Sequence, residues 1–306
     1  MKLFYSPAYT LAGYSFDTTR KSGWIAESLA IRPVPGIEIE APIPATEEQV
    51  RWMHGAEYVG AVRTGEPRSL AESQDFTWDP GLWPMVLAST GGVMAAALTA
   101  MRDGVAGSLS SGLHHARRDA GAGYCTFNGL AIAARAALDA AAESVLILDL
   151  DAHCGGGTHS LVADDPRIWH ADVAVDAYDR YQPGDRCSLS LVDHVDDYLP
   201  EVERCLDGLE RQAPRFGLCL YNAGMDPFAG CAIGGLPGIT LDVLRTREEM
   251  VFAWCRRREI PMAFVLAGGY IGSRLDQETL VELHRLTVAA ALGGGTAVRT
   301  GDPSLW

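Results

Sequence analysis

The 306-residue sequence predicts an α/β fold with a central, mostly parallel sheet flanked by helices. Three observations predict it. Residues 144–150, 217–221 and 261–266 are short apolar runs, and a run of that length with such flanks reads as a strand buried on both faces. Each run stops at a polar or glycine-bearing loop: Asp149-Leu150-Asp151-Ala152-His153-Cys154-Gly155-Gly156-Gly157, Asn222-Ala223-Gly224-Met225-Asp226-Pro227 and Ala267-Gly268-Gly269-Tyr270. Stretches of helical pattern lie between the runs, the alternation that gives a parallel sheet.

In chain order, Leu3-Phe4-Tyr5 reads as a first strand, residues 9–22 as irregular, and residues 25–29 as the start of a helix. Pro33, Pro35, Pro42 and Pro44 punctuate a loop before Thr46-Glu47-Glu48, which carries a helix-start signal. Residues 66–80 are polar loop. Residues 83–101 form a long apolar helix whose Gly91-Gly92 pair suggests close packing. Residues 108–128 hold too much glycine, histidine and charge for a regular element, and 129–142 are an alanine-rich helix. A strand at 172–175, helices at 195–212 and 241–258, and a closing helix at 275–292 complete the pattern. No repeat or linker divides the chain, so residues 1–306 read as one domain.

A hydrophobic content of 48% with 21% charged residues suits an ordinary globular core. The net charge of −14 argues against a nucleic-acid surface and is compatible with a cationic small substrate. Seven scattered cysteines without a C-x-x-C pair point to a reducing, cytoplasmic setting. The N-terminus lacks the apolar stretch of a signal peptide, and no run is expected to approach the ~18 apolar residues of a membrane span. No membrane partner is expected; a homo-oligomer is left open.

Asp151 and His153 stand two apart in extended chain, so both side chains leave one face of a strand end. A carboxylate and an imidazole there make half a zinc or iron site; the alternative is a polar strand cap before a glycine turn. Strand ends of a doubly wound sheet converge on one edge, so Asp226 could complete a three-ligand set that leaves room for water and substrate. Its alternative is a helix or turn cap. His114-His115 are either acid–base groups or surface histidines. Tyr270 is either an oxyanion donor or a loop aromatic, beside glycines that let substrate approach closely.

Taken together and in order, these segments resemble the zinc-dependent histone deacetylase and acetylpolyamine amidohydrolase superfamily. The likeness is carried by Leu113-His114-His115-Ala116-Arg117-Arg118-Asp119, Gly121-Ala122-Gly123-Tyr124-Cys125-Thr126-Phe127-Asn128, Asp149-Leu150-Asp151-Ala152-His153, Ala223-Gly224-Met225-Asp226-Pro227 and Gly268-Gly269-Tyr270. The resemblance implies an arginase-like three-layer fold with Asp151, His153 and Asp226 as zinc ligands. It implies His115 as general base and acid, His114 as an electrostatic helper, and Tyr270 on the oxyanion. Asp149 would orient His114 and contribute to a structural potassium site with backbone carbonyls around Asp151 and His153. Gly123 and Tyr124 would line an acyl tunnel and Asp75 its rim, with Gln182, Ile233 and Gly268 as further substrate-binding residues.

The chain departs from the family pattern at Cys154, Gly155 and Gly156, where a second histidine, a glycine and an Asp or Asn are usual. Without a side chain at Gly156, His115 lacks its usual partner; another residue or water must orient it, and its pKa is expected to fall. Asp172–Asp176 stands where a Ser-Leu-His run is common, and Ala174 offers no serine oxygen to a potassium ion. Gln182 falls near a tunnel-wall aromatic, and the N-terminal His-Pro and Arg pattern is replaced around residues 16–21. The leading expectation is a zinc-dependent deacetylase of a small N-acylated amine or acetyl-lysine. The alternatives are a catalytically weak acyl-ligand binder or regulatory subunit, and a binuclear manganese ureohydrolase, whose next ligand Asp would fall at Gly155.

Overall fold

The computed structural model describes residues 1–13, 17–213 and 215–293. Among them, eight strands form one sheet: β1 (Lys2–Phe4), β2 (Glu38–Glu40), β3 (Val105–Ser108), β4 (Val145–Asp149), β5 (Ile168–Ala174), β6 (Cys187–Leu191), β7 (Leu218–Ala223) and β8 (Met262–Leu266). The spatial order is β2-β1-β3-β8-β7-β4-β5-β6, and every pairing is parallel. The three apolar runs are therefore neighbours at the centre of the sheet, and every residue of β4, β7 and β8 is buried.

Side chains alternate across these strands, which divides the interior in two. Leu146 and Leu148 of β4, Cys219 and Tyr221 of β7, and Met262 and Phe264 of β8 join the cluster on one face. Val145, Ile147, Leu218, Leu220, Ala263 and Val265 join the cluster on the other. The helices are α1 (Asp17–Ile31), α2 (Glu47–Val50), α3 (Ala56–Thr64), α4 (Arg68–Ala71), α5 (Leu82–Asp103), α6 (Gly129–Asp139), α7 (Gly156–Val162), α8 (Val195–Gln212), α9 (Leu241–Arg257) and α10 (Gln277–Ala291). Buried residues of α8, α9 and α10 pack in the first cluster, and those of α3, α5 and α6 in the second. The result is the expected three-layer arrangement. Side-chain caps fix several helix starts: Thr46 and Gln49 form a capping box, and Asn128 Oδ1 accepts from the Ala131 N–H.

Several elements differ from the sequence reading. The sheet is wholly parallel. Helix α1 begins at Asp17, inside the stretch read as irregular, because its packing rather than its propensity stabilises it. Strands β2, β3 and β6 were not anticipated: β2 and β6 are edges, and β3 is four residues, Val-Ala-Gly-Ser, of weak β-propensity. Helix α5 corrects the expectation that no stretch reaches membrane-span length. It is long and apolar enough, yet 72% of its apolar window is buried inside the protein. A helix apolar all round fits that core position, against the sheet and beside α6. All seven cysteines are free of disulfides.

The sheet order reverses at β4: the chain steps outward to β5 and β6, then returns to β7 on the other side. That switch point opens a crevice at the carboxyl ends of β4 and β7, the place where open α/β sheets bind ligands.

Candidate active site

Three ligand atoms converge in that crevice. Asp151 and His153 follow β4, Asp226 follows β7, all three are buried, and their candidate ligand atoms lie within 4.8 Å of one another. His153 Nδ1 stands 3.1 Å from Asp151 Oδ1 and 3.2 Å from Asp226 Oδ2. Two ligands bound about 2.0 Å from one ion at the tetrahedral angle stand about 3.3 Å apart, so both His153 distances suit a zinc site. The remaining carboxylate oxygens are fixed by backbone donors. The Gly268 N–H donates to Asp151 Oδ2 at 2.7 Å and the Ala152 N–H to Asp226 Oδ1 at 2.9 Å. Asp226 Oδ2 is buried without a hydrogen-bond donor.

Charge balance also fits a cation. Burial and the neighbouring Asp151 charge push the Asp226 carboxyl up to about 6, despite an opposing pull from His153. Burial works against a charged His153, yet the adjoining Asp151 and Asp226 carboxylates raise it to about 11. Two buried carboxylates thus recruit positive charge to the point a divalent ion would occupy. Lys21 of α1 is fully buried with no partner for Nζ; burial lowers it to about 8 against the pull of Asp226, Asp151 and Asp17. It lies in the segment that departs from the family's N-terminal pattern, of which Phe16 is outside the described residues.

Above the triad the two histidines meet. Their Nε2 atoms are 3.1 Å apart, and His114 Nε2 is 3.5 Å from Asp151 Oδ1. His114 Nδ1 donates to Asp149 Oδ2 at 2.8 Å; Asp149 Oδ1 accepts from Asn222 Nδ2 at 2.8 Å. His115 Nδ1 lies 2.9 Å from Asp179 Oδ2, so a carboxylate does face the imidazole that Gly156 leaves without a partner. Burial disfavours a charged His114, but Asp149 and Asp151 outweigh it and raise the group to about 10. His115 is lowered to about 4 by burial and by the His114 charge, against the opposing pull of Asp179. Its pKa falls as expected, but not for want of an acidic partner.

A cavity of about 390 Å³ opens over these groups, lined by Asp75, His115, Gly123, Tyr124, His153, Asp176, Tyr178, Ile233 and Tyr270. His114 and Asp149 lie outside the lining, beneath it. The cavity holds four of the six sequence-derived substrate residues: Asp75, Gly123, Tyr124 and Ile233. Gly268 lies instead against the triad, where an added Cβ would sit 1.9 Å from Asp226 Oδ2 and 2.5 Å from Asp151 Oδ2. Gln182 is outside the lining too. Its neighbour Tyr181 stacks on His159 and His170, which draws that stretch away from the cavity. Tyr178 takes the wall instead, edge-on to His115 at 4.9 Å and to His153 at 6.1 Å between ring centroids. Cys231, also missed, binds the wall loops together: its thiol donates to the Ile233 carbonyl, and its sulfur accepts the Tyr270 N–H.

On the potassium question, β4 and β5 pair Asp149 with Asp172, so a carboxylate rather than Ala174 faces Asp149 across the ladder. Asp172 Oδ2 accepts the Gly155 N–H at 2.7 Å, while Oδ1 is buried without a partner. Burial and the Asp149 charge hold its carboxyl well above the usual range.

The parallel eight-stranded sheet flanked by helices places the chain in the α/β fold class of a solved acetylpolyamine aminohydrolase. More narrowly, it belongs to the histone deacetylase domain family, whose model matches residues 17–286. An uncharacterized protein of Picosynechococcus sp. is 32% identical over 277 residues, covering 88% of this chain and 89% of that one. Histone deacetylase 2 of Arabidopsis thaliana is 27% identical over 277 residues, covering 86% of this chain and 69% of the relative. An acetylpolyamine aminohydrolase structure from Burkholderia pseudomallei superposes with a TM-score of 0.78 at 19% identity, covering 95% and 98% of the two chains.

Proposed function

We propose that the chain is a zinc-dependent amidohydrolase that removes an acetyl group from a small, positively charged N-acetylated amine. One observation supports this most: the ligand atoms of Asp151, His153 and Asp226 converge beside the cavity whose wall presents His115 and Tyr270. Asp151 Oδ1, His153 Nδ1 and Asp226 Oδ2 would hold the zinc. When bound, zinc polarises the amide carbonyl and acidifies a water.

The chain's own groups divide the remaining work. His115 is neutral, gives its Nδ1–H to Asp179, and uses Nε2 to take a proton from the attacking water. The same Nε2 returns that proton to the departing amine nitrogen. His114, held as a cation by Asp149, adds positive charge beneath the reacting carbonyl. The Tyr270 hydroxyl is the donor for the developing oxyanion. Asp75 and Asp176 are exposed on the cavity and no Lys or Arg lines it among the described residues, which favours a cationic amine over an anionic one. A potassium ion at Asp149 and Asp172 belongs to the same reading, because it would balance two facing buried carboxylates.

The weak-binder alternative drew on Gly156, and the Asp179 contact to His115 weighs against it. The ureohydrolase alternative needs a ligand at Gly155, which has none to give. The test is metal analysis of the purified protein together with mass spectrometry of acetylated amines before and after incubation. Bound zinc and acetate release that stops on chelation are expected; a zinc-loaded protein that leaves every acetylated amine intact overturns the reading.

A further inference from the structure

We propose that Asp179 is the positioning residue of His115, delivered by the loop after β5 into space that only a glycine at 156 leaves open, with Arg117 on its outer oxygen. The proposal rests on the deacetylase reading for its effect on rate, but not for its geometry.

The loop is fixed before it reaches the site. The Val175 and Asp176 N–H groups donate to the Ala152 carbonyl at 2.9 and 2.8 Å, and the Cys154 N–H donates to the Tyr178 carbonyl at 3.0 Å. Asp176 Oδ1 accepts the Tyr178 N–H at 2.7 Å. Residues 175–178 are thus fastened onto the same segment that carries the metal-ligating His153. Asp179 follows with φ 59°, a left-handed conformation that aspartate tolerates better than most residues. The turn brings its backbone carbonyl to 2.2 Å, and its Oδ1 to 2.6 Å, from where a Cβ on Gly156 would stand. A side chain at 156 and this loop path exclude one another.

Both oxygens of the carboxylate are then spoken for. Oδ2 accepts from His115 Nδ1 and from the Gly157 N–H, each at 2.9 Å. Oδ1 accepts from Arg117 Nη2, and Arg117 Nη1 reaches the Gly156 carbonyl at 3.4 Å. Arg117 stands two residues after His115, so one guanidinium ties the histidine loop, the start of α7 and the β5 loop together. A carboxylate held this way accepts from Nδ1 and keeps the His115 proton there, leaving the Nε2 lone pair for chemistry. The residue before it, Tyr178, is the cavity wall against the same imidazole. One loop therefore sets both the base and the surface the substrate slides along.

The experiment compares the parent with Asp179→Ala and with Asp179→Asn, which keeps the side-chain volume should the alanine variant not fold. It measures kcat and KM for an acetylated amine, rescue by added formate, and the 15N shifts of the His115 ring, which separate the Nδ1–H from the Nε2–H tautomer. The expected result is a fall in kcat on the order of 10²-fold with KM changed less than about threefold. Formate should return part of the alanine variant's rate and none to the parent, and His115 should lose its fixed Nδ1–H signature. A folded variant with kcat within about threefold of the parent, or one whose His115 keeps the Nδ1–H form, overturns the proposal. If the parent itself cleaves no acetylated amine, the deacetylase reading falls, while the tautomer comparison still decides the role of Asp179.

Discussion

His114 takes its carboxylate from the sheet, whereas His115 takes its carboxylate from a loop. Asp149 is the last residue of β4, fully buried, with Asn222 of the neighbouring strand holding its other oxygen. Asp179 sits on an irregular segment, its side chain 8% exposed, with a partner in Arg117 that is 45% exposed. The two imidazoles touch, yet one is raised to about 10 and the other lowered to about 4. Neighbouring groups whose surroundings push their protonation apart can serve different roles in one reaction, and here the deeper one keeps the proton. A charged His114 further discourages charge on His115, so the sheet-held pair helps define the loop-held one.

The comparison breaks first at Asp149. Asp149→Ala leaves the buried His114 without its main counter-charge and is expected to cost about 3–5 kcal/mol of stability. Asp179→Ala loses hydrogen bonds at the cavity edge but strands no buried cation, and should cost about 1–2 kcal/mol. Urea unfolding of the chelated proteins measures both, and equal losses would erase the distinction between sheet and loop. The Asp149 penalty has a pH signature. A His114 raised in the folded state contributes stability that is fully present below its unfolded value of 6.5 and lost as pH rises through about 10. The gap between parent and variant should therefore be widest below pH 6.5 and narrow toward pH 10.

The same contrast separates what the sequence revealed from what it did not. Asp151, His153, Asp226 and Tyr270 end or follow continuous apolar strands, so their strand-end position followed from local pattern. Their convergence followed from the parallel order of β4, β7 and β8. Asp179 carries no such local mark. It lies in a polar stretch between β5 and β6, and only the backbone bonds of residues 175–178 to Ala152 and Cys154 aim it at His115. Tyr178 carries no local mark either, and it lines the cavity where the sequence points to Gln182. Gly156, read as a lost partner, turns out to be the opening through which the replacement arrives.

Gly156→Ala tests that opening at intermediate size. A methyl group at 156 meets the Asp179 backbone carbonyl rather than a movable side-chain tip, so the loop must withdraw. Overpacking of this kind costs about 1–3 kcal/mol. Thermal unfolding should register the loss, and the His115 ring shifts should move with it, whereas the His114–Asp149 pair should stay as it is. A variant as stable as the parent, with His115 undisturbed, would mean that the loop has another path.

The smallest effect is expected at Arg117, and it decides what holds the loop. Its guanidinium reaches Asp179 and the Gly156 carbonyl from the solvent side, where screening leaves an ion pair worth under about 1 kcal/mol. Arg117→Met keeps the apolar stem but removes the donors, so stability should barely change. The rate should fall only a few-fold, because the backbone bonds to Ala152 and Cys154 still carry Asp179 to His115. Raising the salt concentration should weaken the parent in the same direction, since an exposed pair is screened and a buried one is not. If Arg117→Met instead loses as much kcat as Asp179→Ala, the loop is aimed by the guanidinium rather than by its own backbone. His115 would then depend on a surface charge in a way that His114, held from the sheet, does not.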